Sequence, residues 1–350
     1  MASLTVTAYY SRKYIKLGAI AVVAFIILRI VFGMFFDYLR AKFPPNFFKP
    51  NHLYGVLPKI DFPQTASPSG EITFTLQTVT GTLPQSSEAA RIFFMPKGRS
   101  NLLSLSRAQS MVGKIGFTTT PRQLSDTLYR WVDIRSPLRT VEMDIISNHF
   151  TLNYLYQHDL SLFTEKNLPQ PAEAAKECVA FMQNLGARLT DINTFQPQVT
   201  YLKLVGNALE PAVSQAQADA VKVDFFRLNY DGMRIVNDTL DEGNITFILS
   251  GSTRSDRRIL YAKYRLWSLD QSSQGIYQLK KSDKAWLEFL AGKAYFVSFP
   301  QNQTKIPITD IYLAYFDSAN PQLFMQPVFV FAGEDNFAAY VPAVDLPWTQ

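Results

Sequence analysis

The side chains that could do chemistry in this chain are three histidines, a single cysteine and several groups of carboxylates. His149 and His158 flank an alternating apolar–polar segment, so as a continuous strand it would aim them at opposite faces. A metal site needs convergent ligands. His52 sits far away in a proline-rich stretch, so all three read as surface histidines and no metal ligand set is expected. Cys178 lies on an apolar helical stripe with Ala175, Phe181 and Met182, the setting of a buried structural thiol rather than a nucleophile. As the sole cysteine it excludes an intramolecular disulfide framework and a cysteine-based zinc site.

The carboxylates fall into two groups. Asp126, Asp133, Glu142 and Asp144 are interleaved with Arg122, Arg130, Arg135 and Arg139, a pattern that reads as solvated, mutually paired charge. Asp238, Asp241 and Glu242 lie in the run from Asn237 to Asn244, which reads as a hairpin turn. A glycosidase-type pair would instead need two carboxylates facing each other across a pocket. Nucleophile elbow, phosphate loop, dinucleotide fingerprint and zinc-protease helix motifs are absent from the sequence. The expectation is a protein that is not an enzyme, with no catalytic, cofactor-binding or metal-binding residues and no cofactor.

The N-terminal region predicts placement. Leu17–Phe36 is a run of twenty residues carrying one charge, Arg29. At about 1.5 Å per residue such a helix matches the roughly 30 Å hydrocarbon core of a bilayer. This predicts a single-pass transmembrane helix over 17–36 acting as a signal anchor, after a cytoplasmic tail at 1–16. Gly18, Ala19, Ala21 and Ala24 offer a small-residue face for membrane helix packing. Residues 1–49 hold seven Lys or Arg and one Asp, a net of +6. Since the whole chain is +5, residues 50–350 sum to −1. The positive excess therefore surrounds the expected span, where anionic head groups would attract it. The near-neutral body lacks the basic stripe of a nucleic-acid binder. The expected partners are a lipid bilayer and other envelope or membrane proteins, with no nucleic acid. The expected location is the cell membrane, with the C-terminal body extracytoplasmic.

Beyond the span, prolines at 44, 45, 50, 58, 63 and 68 predict an extended stalk over 37–70. Strand patterns follow at Glu71–Gln77 and Ala90–Met95, and a helix starts at Ser104 or Ser106 and ends at Gly116. Further strands are predicted at Thr127–Val132, Arg139–Ile145 and His149–Tyr156. A helix over Ala172–Leu185, closed by Gly186, is followed by strands at Gln198–Val205, Val223–Tyr230, Asn244–Leu249 and Arg258–Ser268. A short helix at Ser282–Leu290 then leads into a meander over Ile308–Phe316, Phe324–Ala332 and Phe337–Val344. The expected class is α+β: the transmembrane helix, then two units, 71–165 and 166–350, each a helix laid on an antiparallel sheet.

The C-terminal third resembles the end of YycH/YycI-type membrane-anchored regulators and the broader PepSY-like group. The positions that carry this likeness are Tyr277, Ala285, Leu290, Gly292, Ile311, Leu313, Tyr315, Gln326, Pro327, Val328, Phe331, Tyr340, Val341 and Ala343. The resemblance spans roughly Ile276–Val344 and rests on packing and turn positions. It implies a non-enzymatic, membrane-anchored regulatory protein that works by protein–protein interaction, modulating a sensor kinase or another envelope complex. An assembly component of an envelope complex, or an envelope hydrolase with an unrecognised carboxylate site, is the alternative.

Overall fold

The computed structural model describes Val22, Phe25, Ile26, Leu28, Arg29, Phe32 and Gly33, and residues 49–63, 72–240, 242–300 and 303–349. Met1–Lys49 and Pro50–Gln350 form two separate compact units. In the first, the seven described residues other than Lys49 are helical and exposed.

The second unit opens with β1 (Thr73–Leu76), β2 (Ala89–Phe94) and α1 (Ser104–Gly113). Four strands follow: β3 (Arg122–Gln123), β4 (Leu128–Val132), β5 (Arg139–Asp144) and β6 (Phe150–Tyr154). The helix α2 (Pro171–Leu185) precedes β7 (Gln198–Val205), β8 (Ala208–Pro211), β9 (Ala220–Phe225), β10 (Arg234–Val236) and β11 (Ile245–Ser250). After α3 (Ser255–Arg258) come β12 (Ile259–Tyr264), β13 (Asp270–Gln278) and α4 (Ser282–Leu290). The chain closes with β14 (Tyr295–Ser298), β15 (Lys305–Phe316), β16 (Phe324–Gly333) and β17 (Ala338–Pro342).

These strands build two large sheets. The nine-stranded sheet runs β3-β4-β5-β6-β12-β11-β9-β7-β8, antiparallel throughout. The eight-stranded sheet has the path β1-β15-β16-β17-β14, with β1 and β10 both parallel to β15, and β2 linking β16 to β13.

The expected class is corrected on two counts. The fold is mostly β, because short helices cover sheets that carry most of the core, and the sheets are not two successive helix-on-sheet units. The nine-stranded sheet pairs β6 with β12, and the eight-stranded sheet pairs β1 and β2 with strands more than two hundred positions away in sequence number or nearly so: Thr73 lies opposite Lys305 and Ala89 opposite Gln278. The single-pass, signal-anchor membrane expectation is also corrected. Among the described residues no helix is long and apolar enough to cross a membrane. The longest, α2, has 15 residues, short of the ~20 a span needs. Most of 17–36, including Gly18, Ala19, Ala21 and Ala24, lies outside the described residues.

Side-chain alternation explains the layers. In β5 and β6 every second residue is buried, and Val141, Met143, Phe150 and Leu152 join a core roofed by α1 and α2. Trp131, Phe225 and Phe247 pack there against Ala108, Val112, Cys178 and Met182. β16 is buried on both faces, so its apolar run lacks alternation. Phe329 and Phe331 turn towards Ala285 and Phe289 of α4, whereas Val328 and Val330 pack with Tyr295, Tyr340 and Ile60.

A buried charge cluster ties the two sheets together. Arg227, just after β9, has a fully buried side chain. Its Nε donates to Asp317 Oδ2 at 2.6 Å, its Nη2 to the Trp267 carbonyl at 2.5 Å, and its Nη1 lies 3.3 Å from Asp191 Oδ2. Asn244 Nδ2 adds a bond to Asp317 Oδ2 at 2.7 Å. Asp317 directly follows β15, while Asp191, Arg227 and Asn244 adjoin elements of the nine-stranded sheet. His149 meets the same junction, its ring 4.2 Å from that of Trp267. It is therefore not the surface histidine expected from the strand pattern. Burial, reinforced by Arg265, draws its pKa down to about 4, against a hydrogen bond with the Leu266 backbone that favours the charged form.

Replacing Arg227 by Met strands Asp317 and Asp191 in the interior, and should cost about 3–5 kcal/mol, read as a lower urea midpoint. An unchanged midpoint would show that the cluster does not hold the sheets. The depressed histidine gives a second expectation. The unfolded chain takes up a proton near pH 6.5 and the folded one only near 4, so stability is full above 6.5 and falls between 6.5 and 4, by at most about 3 kcal/mol. His149→Gln should flatten urea midpoints across that window; an equally steep decline in the variant would assign the effect elsewhere.

Candidate functional site

A cleft of about 1090 Å³ lies against the nine-stranded sheet. Four segments make its walls: the turn after α1, the β4–β5 turn, the exposed side of α2, and the loop running into α3. Each is held by a specific local device.

The turn after α1 depends on Gly116, whose φ of +100° lies in a region that side chains disfavour. The chain reverses there, and Phe117 N–H reaches back to the Val112 carbonyl at 3.2 Å. This sets the Ile115 carbonyl to accept from Arg139 Nη1 at 3.0 Å. The same Nη1 donates to Asp133 Oδ2 at 3.0 Å, and the guanidinium lies 4.7 Å over the Phe117 ring. Asp133 Oδ1 meanwhile accepts from Arg135 N–H at 2.9 Å, fixing the β4–β5 turn. Asp133 and Arg139 are both buried, which corrects their reading as solvated charge. Desolvation pulls the Arg139 guanidinium below its usual pKa, opposed by Asp133.

On the opposite wall, Arg258 forks onto Glu177 of α2, Nε to Oε1 at 2.8 Å and Nη2 to Oε2 at 2.9 Å. Its Nη1 donates to the Ser250 carbonyl at 2.7 Å and the Asn167 carbonyl at 3.1 Å. Arg254 makes a similar fork onto Asp256, at 3.1 and 2.8 Å. Burial alone would raise the Asp256 pKa, but the Arg254 hydrogen bond and charge bring it below the usual carboxylate range. Glu165 Oε2 accepts from Thr253 N–H at 2.9 Å and so anchors the loop tip.

Three of the five basic residues lining the cleft are thus engaged by its three carboxylates. The other two, Lys114 and Arg135, are exposed and form no ion pair with any described residue. Lys114 Nζ sits at the C-terminal end of α2, where a Cβ added to Gly186 would lie 3.6 Å away. The helix dipole favours a cation there.

The sequence singled out Asp133, Arg135 and Arg139 only as members of a charge pattern, and the structure brings them together. Glu177, Arg254 and Arg258 carried no signal, since their partners are set by loops and sheet pairing. Asp238 and Glu242 do not sit in this cleft, and Asp241 lies outside the described residues. The segment around them joins β10 of one sheet to β11 of the other, so it is a crossover rather than a hairpin. Cys178 lies on the buried face of α2, and desolvation raises its thiol pKa. Among the described residues no group of three or more His, Cys, Asp or Glu side chains is placed to hold a metal ion.

No known protein family matches the sequence, and no curated protein matches it. Among solved structures, the chain is similar to the crystal structure of an uncharacterized protein from Eubacterium rectale ATCC 33656. The two are 13% identical with a TM-score of 0.40, over 77% of this chain and 87% of that one. A likeness at that level supports no inference about role.

The cleft loop rests on a close backbone approach at Gly251. A Cβ there would lie 2.1 Å from the Glu165 carbonyl oxygen and 2.8 Å from the Asn167 nitrogen. Gly251→Ala should therefore destabilise by about 2 kcal/mol, as overpacking does when backbone must move. Denaturant titration checks this, and an unaltered midpoint would mean the two segments are not in that contact.

Proposed function

We propose that this chain is a non-catalytic interaction protein that recognises a partner through the cleft between Lys114 and Ile259. One observation carries the reading: each carboxylate lining the cleft is held in an ion pair by an arginine. General acid–base hydrolysis needs one carboxylic acid and one carboxylate free to exchange protons, with pKa values pushed apart. Here Asp256 is held low by Arg254, and Asp133 is fixed by Arg139 and by the turn it caps. Side chains locked in this way form a rigid polar surface, which favours binding because little conformational freedom is lost on contact.

The resemblance of the C-terminal third to YycH/YycI-type regulators is in keeping with this role. Of its positions, Tyr277, Ala285, Tyr315, Phe331 and Val341 are fully buried packing residues.

A blocked cleft tests the proposal. Thr118 lines it, is exposed, and makes no side-chain hydrogen bond to a described residue, so Thr118→Trp adds bulk without altering charge. Chemical crosslinking followed by mass spectrometry should recover a partner linked to cleft residues in the parent protein, and lose it in a folded Thr118→Trp variant. Recovery undiminished in that variant, or turnover of chromogenic glycosides abolished by Glu177→Gln, would overturn the reading.

A further inference from the structure

We propose that the partner group seated in this cleft is a phosphate-class oxyanion, held by Lys114 and Arg135; this rests on the interaction reading given above. Five basic and three acidic side chains line the cleft, and pairing consumes three of each sign. The remaining two positive charges lie on one concave surface of a body whose formal net charge over residues 50–350 is −1. A concave wall of low polarisability concentrates such a field more than a flat surface does.

The two cations are also presented by fixed backbone. Arg135 stands on a turn pinned at both ends, by Asp133 Oδ1 at its own N–H and by Arg139 N–H donating to the Ser136 carbonyl at 2.8 Å. Lys114 follows α1 directly, and its backbone N–H donates to the Met111 carbonyl at 3.2 Å. A guanidinium offers a planar pair of donors and an ammonium a compact point charge, and both are suited to tetrahedral oxyanions. The Asp133–Arg139 and Glu177–Arg258 pairs matter here because they neutralise the carboxylates that would repel an anion. The oxyanion could be free or carried on a macromolecule, and the chemistry of recognition is the same.

Calorimetric titration of the full-length protein with sodium tripolyphosphate, at low and at moderate sodium chloride, tests the assignment. Binding should weaken as salt screens the cleft. Lys114→Gln combined with Arg135→Gln should reduce affinity at least about tenfold, the scale of a charge-assisted contact. Lys203→Gln with Arg122→Gln, two exposed cations outside the cleft, should leave it unchanged. Equal loss in both double variants would reduce the effect to overall charge and overturn the proposal, as would tighter binding of hexaglutamate than of tripolyphosphate. Crosslinking the Lys114→Gln, Arg135→Gln protein then places the source: loss of its partner puts the oxyanion on that partner, and retention makes it a free ligand of the same site. If tripolyphosphate fails to bind while Thr118→Trp still abolishes partner capture, the oxyanion assignment falls and the interaction reading stands.

Discussion

The Arg227 guanidinium is the point on which the arrangement of the two sheets depends. It is fully enclosed, and an enclosed cation is tolerable only where carboxylates and carbonyls replace the lost water. Asp317 follows a strand of the eight-stranded sheet, Asp191 and Asn244 come from the other side, and the Trp267 carbonyl from the linker between β12 and β13. Without Asp317 from the other sheet, the Arg227 Nε and Asn244 Nδ2 donors would lose their acceptor. The geometry therefore specifies one relative placement of the sheets more sharply than apolar contact would, because apolar surfaces tolerate sliding and a buried charge does not.

Around that cluster the chain weaves between sheets instead of completing one before starting the next. β9 and β11 belong to one sheet while β10, between them, belongs to the other. β1 and β2 are built into a sheet whose remaining core strands come from the last third of the chain. The outcome is a body of long-range pairings, in which the central strand β16 is buried on both faces and the short helices serve as covers. Long-range pairing also explains why His149, directly before β6, ends up beside Trp267 from a linker more than a hundred residues later.

The cleft follows the same logic on a smaller scale. Its walls come from four segments spread between Lys114 and Ile259, each fixed by backbone constraints: a positive φ at Gly116, a carboxylate-capped turn at Asp133, and a close approach at Gly251. Arginine forks then commit the carboxylates. What is left lining the cleft is a surface with a small positive excess, a very different object from a pair of free acids.

By itself the sequence determined the local elements. Strand patterning placed β4 to β7 and β15 to β17 within a few residues, and the Gly186 stop bounded α2. These are short-range effects, set by side-chain period and by the φ preferences of proline and glycine. Only the tertiary structure decided which strands share a sheet, because a strand's edge hydrogen bonds carry no record of their partner's position in sequence. It likewise decided that Asp133 and Arg139 are buried, that His149 is kept neutral, and that Glu177 meets Arg258 across 81 positions. Charge pairing and desolvation depend on distance and water access in the folded chain, and neither is written in the order of the residues.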